Sequence, residues 1–176
     1  MAQTFLITLR EGLEMALIVV IVLAYLKRTG YTRLFSRVWQ GVALATGVSL
    51  LGGAILFALG KELEGQAEQV FEGTAMLLAV AVLTWMIIWM KSQARLIRGH
   101  LETQMEQALM GGSALAIVAI PFLAVVREGL ETALFLFGAS KTTTPWETTI
   151  GGLLGLIVAI TLGWFIYQGT HTINLR

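Results

Sequence analysis

The chain has 176 residues, of which 56% are hydrophobic and 13% charged, with a formal net charge of +1 and a mean hydropathy of +0.78. So little charge does not suffice to cover the surface of a soluble domain of this size. The absence of cysteine excludes disulfides and thiolate metal sites. No basic arm or basic-aromatic pattern indicates nucleic-acid binding.

Five apolar runs are long enough for a membrane-spanning helix, which needs about 20 residues. They cover approximately residues 3–26, 38–60, 69–90, 113–138 and 146–168. The start of the chain lacks the basic region and cleavage site of a signal peptide, so we interpret the first run as a retained helix. We therefore predict an all-α polytopic membrane protein with about five transmembrane helices.

Positive charges concentrate after the first and third runs. They are Lys27, Arg28, Arg33 and Arg37 after the first, and Lys91, Arg95 and Arg98 after the third. Because basic loops stay in the cytoplasm, this pattern predicts an N-terminus outside. Residues 91–112 carry apolar residues at roughly helical spacing among charges, which predicts a cytoplasmic amphipathic connector or an extension of the third helix.

The pentapeptide REGLE occurs twice inside apolar runs, beginning at Arg10 and at Arg127. The match extends to REGLEMAL and REGLETAL, which differ only at Met15 and Thr132. Three predicted spans separate the two starts, so the two helices should cross the membrane in opposite senses, as in an inverted-topology repeat.

An inverted repeat also divides the chain into segments. We predict a first three-helix repeat over 1–90, a connector over 91–112 and a second, incomplete repeat over 113–176.

The charges of each REGLE motif share one helical face. With about 100° per residue and Arg10 at zero, Glu11 falls near 100° and Glu14 near 40°. Arg10 and Glu14 are therefore predicted to pair across one turn, which leaves one carboxylate per motif unpaired. The same geometry applies to Arg127, Glu128 and Glu131.

Two interpretations account for these buried charges. Six charges facing lipid would cost about 15–20 kcal/mol on insertion scales, so they must face one another, water or an ion. Arg–Glu bridges that only lock the helices are the structural alternative. We favour an ion site, with Glu11, Glu14, Glu128 and Glu131 as ligands and Arg10 and Arg127 as supporting residues. Oxygen ligands suit hard cations such as Mg²⁺, Ca²⁺, Mn²⁺ or Fe³⁺, and Fe²⁺ also fits.

Two more carboxylates lie at the start of the third apolar run. Glu68 and Glu72 lie four residues apart near its predicted outer end. We interpret them as a candidate entrance route for a cation, against the alternative of an ordinary solvated helix end.

These motifs resemble the high-affinity iron permeases, and especially the bacterial Efe-type branch. The resemblance rests on the paired REGLE motifs, on LKRT after the first helix, on FEG and AVLTWMIIWM through the third, on LETQMEQAL after it, and on the terminal INLR. It implies an iron permease rather than an enzyme, with the REGLE glutamates Glu11, Glu14, Glu128 and Glu131 handling Fe³⁺ or Fe²⁺ as substrate and with no organic cofactor. Family chains continue through a sixth and usually a seventh helix.

The resemblance also implies a place and partners. The place is the bacterial cytoplasmic (inner) membrane. The partners are a periplasmic iron-binding protein and a haem peroxidase, or a ferroxidase as in fungal relatives. Further copies of the chain, as a homo-oligomer, are also considered.

Two other functions stay open at this point. One is a membrane di-metal carboxylate oxidase, although such sites usually include Glu-x-x-His pairs and the motif has no histidine. The other is a permease for another hard divalent cation. No Walker A motif supports direct use of ATP.

Overall fold

The regular structure of the chain is entirely helical in the part that the computed structural model describes, which is residues 1–63, 65–93, 97–112 and 114–172. In chain order the helices are α1 (Ala2–Arg28), a 3-10 turn (Thr32–Leu34), α2 (Phe35–Glu62), α3 (Gln66–Gln93), α4 (Ile97–Met110), α5 (Ala114–Ser140) and α6 (Pro145–Thr172). Residues 94–96 of the predicted connector and 173–176 of the predicted second repeat lie outside the described residues. The prediction of an all-α membrane protein is confirmed.

Five of these helices are long and coincide with the five apolar runs. Segments of α2, α3 and α6 are long and apolar enough to cross a membrane, namely Thr32–Glu62, Gln66–Trp85 and Pro145–Gly169. Helices α1 and α5 do not meet that criterion because the REGLE charges interrupt their apolar runs. The first glutamates of the two motifs, Glu11 and Glu128, are instead buried by the surrounding protein.

Helix packing is concentrated in two pairs. The most extensive contacts join α1 to α6 and α2 to α5, and α1 also packs against α5. Helix α3 contacts α5 and α2 more lightly. Its apolar residues are mostly exposed, as a helix surrounded by lipid would be.

The two helix pairs repeat the same contacts. A Cβ atom at Gly41 of α2 would meet three atoms of α5, and one at Gly151 of α6 would meet three atoms of α1. The atoms are Val118 O, Pro121 Cγ and Phe122 N for Gly41, and Met1 O, Thr4 Oγ1 and Phe5 N for Gly151. Each α5 residue here follows its α1 counterpart by 117 positions, the same displacement as between the two REGLE motifs. The repeat seen in the sequence is therefore also a repeat of packing.

The same correspondence holds beside the REGLE motifs. A Cβ at Gly12 would lie 2.6 Å from the Cβ of Ala159, and one at Gly129 would lie 2.6 Å from the Cβ of Ser49. Gly12 and Gly129 are the central glycines of the two motifs. They allow α6 and α2 to approach the motifs closely, as small residues do between membrane helices.

Helices α1 and α5 run antiparallel. Helix α6 starts beside the start of α1, where Thr4 Oγ1 donates a hydrogen bond to Glu147 O at 3.3 Å. The other end of α1, at Val22 and Leu26, shares a buried cluster with Ile117 at the start of α5. The predicted antiparallel contact between the REGLE helices is confirmed, whereas a three-helix repeat unit stays a prediction.

Helix α4 packs against the protein. Met105 is fully buried and joins the cluster formed by the end of α1 and the start of α5. Arg28 Nη2 lies 3.5 Å from Glu102 Oε2, which links the end of α1 to α4. The connector thus includes α4, which covers one end of the α1–α5 pair, and its cytoplasmic location stays a prediction.

The close approach of α2 to α5 predicts different responses at two glycines of the same helix. Gly41→Ala should lower the melting temperature, because its Cβ would press on the α5 backbone, including Phe122 N at 3.3 Å. Overpacking of this kind costs about 1–3 kcal/mol. Gly47→Ala is the matched control, since no atom lies within 4 Å of its added Cβ. Thermal melting in detergent compares them, and equal melting temperatures would contradict the packing.

Candidate metal site in the REGLE layer

Each REGLE arginine holds both glutamates of its own motif. Arg10 places Nη1 3.4 Å from Glu11 Oε1 and Nε 3.3 Å from Glu14 Oε1. The prediction that one carboxylate per motif is left without an ion pair is therefore wrong. A guanidinium has several N–H donors in a rigid plane, so it can bridge a neighbouring residue as well as the residue one turn further along.

The second motif repeats this arrangement. Arg127 places Nη2 3.0 Å from Glu128 Oε1 and Nε 3.1 Å from Glu131 Oε1. In both motifs the guanidinium thus contacts two glutamates, and its Nε faces the glutamate four positions later. In both motifs the arginine is more exposed than the first glutamate, whose side chain is 1% exposed in Glu11 and 3% in Glu128.

Three glutamates from the two helices meet. Glu11, Glu128 and Glu131 each offer a carboxylate oxygen, and these oxygens lie within 4.8 Å of one another. Their separation is short enough for one cation to bind all three. We name these three residues the carboxylate group.

Glu14 lies outside the carboxylate group. Its side chain is 25% exposed and is paired with Arg10. Of the four predicted ligands, the structure therefore brings three together. The repeat is not exact at this point, because Glu131, the counterpart of Glu14, is 12% exposed and belongs to the group.

Each member of the carboxylate group keeps one buried oxygen without a hydrogen-bond partner. These oxygens are Oε2 of Glu11, Glu128 and Glu131. A buried acceptor that makes no hydrogen bond is costly, and more so when it is charged. Oxygen atoms with this geometry suit a cation that prefers carboxylate ligands.

A cavity of about 630 Å³ lies on one side of the REGLE layer. It is bounded by the first half of α1, the end of α2, the end of α5 and the start of α6. Thr8 and Met15 line it from α1, and Thr132 lines it from α5. Since Thr132 directly follows Glu131, the cavity reaches the level of the carboxylate group. We call it the outer cavity, after the predicted orientation.

A second cavity of about 590 Å³ lies on the opposite side of the same layer. It is formed between α4 and the first half of α5 and extends to Arg127. Gln104 and Gln107 line it from α4. We call it the inner cavity. Among the described residues, the two cavities thus approach the REGLE motifs from opposite ends.

The two glutamates of the candidate entrance route differ in their surroundings. Glu72 forms an ion pair with Lys141, which follows the end of α5 and lines the outer cavity. Lys141 also lies over the Phe137 ring, with Nζ 5.2 Å from the ring centroid. Glu68 is half-buried in the first turn of α3. Glu72 is therefore placed beside the outer cavity, and its role there stays a hypothesis.

Some residues at this site were not singled out from the sequence for a role. Thr8, Met15 and Thr132 line the outer cavity, and Lys141 forms an ion pair with Glu72. Ser49 contacts Gly129 and has a buried hydroxyl without a hydrogen-bond partner. The sequence pointed to two of these residues in one way, since Met15 and Thr132 are the only difference between the extended motifs.

The shared guanidinium predicts that lysine cannot replace arginine in the motif. Arg10→Lys keeps the charge but has one ammonium in place of two separate donors, so it should hold only one of Glu11 and Glu14. We expect a lower melting temperature and weaker metal binding. Arg28→Lys is the control, since Arg28 is 60% exposed in its pair with Glu102. Arg10→Lys with unchanged melting and binding would show that the bridging geometry is unimportant.

The chain is similar in sequence to known iron permeases. The ferrous iron permease EfeU of Escherichia coli O6:K15:H31 (strain 536 / UPEC) is 39% identical over 173 residues, covering 97% of this chain and 63% of the relative. EfeU of Shigella sonnei (strain Ss046) matches with the same identity and coverage. EfeU of Yersinia pestis is also 39% identical over 173 residues, covering 97% of this chain and 61% of the relative. The chain thus spans less than two thirds of the length of these relatives.

No solved structure matches the chain. The description of the matching family is "Iron permease FTR1 family", and the match extends over residues 1–176. Proteins of this kind are transporters rather than enzymes. On the strength of this full-length match and of relatives at 39% identity, the chain belongs to the FTR1 family of iron permeases.

Proposed function

We propose that this chain forms the iron-binding core of a permease that moves iron across the bacterial cytoplasmic membrane. The carboxylate group is the binding site. The observation that carries the proposal is the meeting of three glutamate oxygens from two antiparallel helices, together with three buried oxygens that have no hydrogen-bond partner. Buried carboxylates in this state are explained by a ligand that supplies positive charge.

A purely structural role explains less of the site. Locking helices needs only one arginine contact per glutamate, whereas the site also brings three carboxylates of α1 and α5 together. In the absence of a bound cation, the three carboxylates from different helices repel one another. The arrangement is therefore better suited to binding a cation between α1 and α5 than to holding them together.

We propose Fe²⁺ as the transported ion. Four REGLE glutamates and two arginines carry a formal charge of −2, which a divalent ion neutralises. The relatives reported above are called ferrous iron permeases, and this supports the same oxidation state. A di-metal oxidase is less favoured because the carboxylate group consists of glutamates alone, whereas carboxylate di-metal sites usually include histidine.

Transport is proposed to alternate around the carboxylate group. The outer and inner cavities approach it from opposite ends. Antiparallel repeats let a transporter exchange the conformations of its two halves, which opens one cavity as the other closes. The similar packing of α1 on α6 and of α5 on α2 supports such an exchange.

The orientation and the partners follow from the same proposal. The basic residues after α1 favour a cytoplasmic position for that loop and for α4, with the N-terminus outside. The outer cavity would then receive iron from a periplasmic iron-binding protein, acting with a haem peroxidase or a ferroxidase. The lipid-facing surface of α3 leaves room for a homo-oligomer.

The direct test replaces the first glutamate of each motif with glutamine. We expect Glu11→Gln and Glu128→Gln to abolish iron uptake while the protein stays folded, because the change removes a ligand and also relieves repulsion between carboxylates. The measurements are Fe²⁺ binding and thermal melting on the same purified variants, and uptake by proteoliposomes. Mn²⁺ and Mg²⁺ are used as competitors to test for a permease of another divalent cation.

Glu106→Gln is the control for this experiment. Glu106 lies on the exposed side of α4, so the same chemical change there should leave binding and melting unaltered. Full Fe²⁺ binding by both REGLE variants would remove the carboxylate group from the transport site. A large fall in melting temperature with unchanged binding would support the helix-locking alternative instead.

The Glu72–Lys141 ion pair gives a second test, which concerns the entrance route. Glu72→Gln leaves the Lys141 ammonium unneutralised beside the outer cavity, so it should repel cations and slow uptake. Lys141→Gln frees the carboxylate and should not slow it. Initial uptake rates at low ionic strength compare the two, with Glu62→Gln at the end of α2 as control. Equal rates in all three variants would exclude an electrostatic role of Glu72.

A further inference from the structure

The two REGLE motifs differ at one residue beside the carboxylate group. Position 15 is methionine in REGLEMAL, and its counterpart in REGLETAL is Thr132. Both side chains line the outer cavity. The only substitution between the two extended motifs is therefore located where a cation would approach the site.

Met15 lies on the same face of α1 as Glu11. Residues four positions apart on a helix are neighbours, so Met15 is one turn from Glu11 on one side and Thr8 is about one turn away on the other. Thr8 and Met15 both line the outer cavity, whereas Glu11 between them is 1% exposed. Met15 thus lies at the inner end of the outer cavity, one helical turn from the buried carboxylate of Glu11.

The two side chains offer different chemistry at this place. Thr132 Oγ1 donates a hydrogen bond to Glu128 O at 2.7 Å, which fixes the hydroxyl against its own helix. Methionine has no such donor, and its thioether is flexible and polarisable. Met15 is therefore able to turn its sulfur towards an ion at the carboxylate group.

We propose that Met15 is a specificity-determining residue whose sulfur contacts the cation as it enters the carboxylate group. This inference rests on the proposed iron site. Three carboxylates bind hard divalent cations in general and distinguish them poorly. A thioether ligand favours the softer Fe²⁺, whereas Mg²⁺ and Ca²⁺ gain little from sulfur in exchange for a lost water molecule. The methionine thus strengthens the site for Fe²⁺ more than for the hard cations.

The test compares Met15→Leu with the unchanged protein. Leucine keeps the volume and the apolar character of methionine and removes only the sulfur. Dissociation constants for Fe²⁺, Mg²⁺ and Ca²⁺ are measured by equilibrium binding under anaerobic conditions. We expect the preference for Fe²⁺ over Mg²⁺ to fall by about tenfold, an effect of the size found when a supporting group of a metal site is lost. Met76→Leu, on the exposed surface of α3, is the matched control and should change nothing.

A spectroscopic measurement tests the sulfur contact directly. X-ray absorption of the Fe²⁺-loaded protein should show a sulfur neighbour that disappears in Met15→Leu. Since the chain contains no cysteine, any sulfur next to the iron comes from methionine. Absence of a sulfur neighbour in the unchanged protein would overturn the role of Met15 even where the leucine variant folds poorly.

The outcomes separate this inference from the proposed function. Fe²⁺ binding with no sulfur neighbour, or an equal loss of affinity for all three ions in Met15→Leu, would overturn the role of Met15 and leave the carboxylate site standing. Failure of the unchanged protein to bind Fe²⁺ at all would overturn both. A selective loss for Fe²⁺ together with loss of the sulfur signal would establish the role.

Discussion

The structure depends on the need to neutralise carboxylates inside a protein that is surrounded by lipid. A charge at the centre of a bilayer costs about 2.5–3.5 kcal/mol on insertion scales, so a cluster of glutamates requires opposite charge close by. Each REGLE motif supplies one arginine that contacts both of its glutamates. This leaves the two motifs together with more negative than positive charge. At the proposed site, a cation bound between α1 and α5 would balance that excess.

Close packing of helices supports this arrangement from behind. The glycine of each motif faces a small residue on the neighbouring helix, Ala159 for Gly12 and Ser49 for Gly129. Lipid provides no hydrophobic driving force between helices, so contacts of this kind contribute much of their association. The glutamates and the glycine of one motif point in different directions around the helix. The same five residues therefore present a polar face to the opposite motif and a close-packed face to a supporting helix.

Much of the fold follows from the sequence because membrane helices are specified by simple patterns. The length of each apolar run predicted the five long helices, and the separation of the two REGLE motifs predicted the antiparallel contact of α1 with α5. The sharing of each arginine was not predicted, because a helical projection gives angles but not the reach of a guanidinium. The position of Glu14 outside the carboxylate group was also not predictable from the sequence, since it depends on how α1 and α5 cross. Lys141 could be found only from the structure, because 69 positions separate it from Glu72.

Helix α4 has consequences for the energetics of the two ends of the molecule. If the chain consisted of two identical antiparallel repeats, a conformation open on one side of the membrane would have the same free energy as the two-fold-related conformation open on the other side. Contacts that belong to one repeat alone remove this equality. Helix α4 buries Met105 against the end of α1 and the start of α5, and Arg28 links it to the first repeat through Glu102. If transport alternates as proposed, contacts of α4 would favour one of the two conformations, and changes in α4 would alter that preference without altering the carboxylate group.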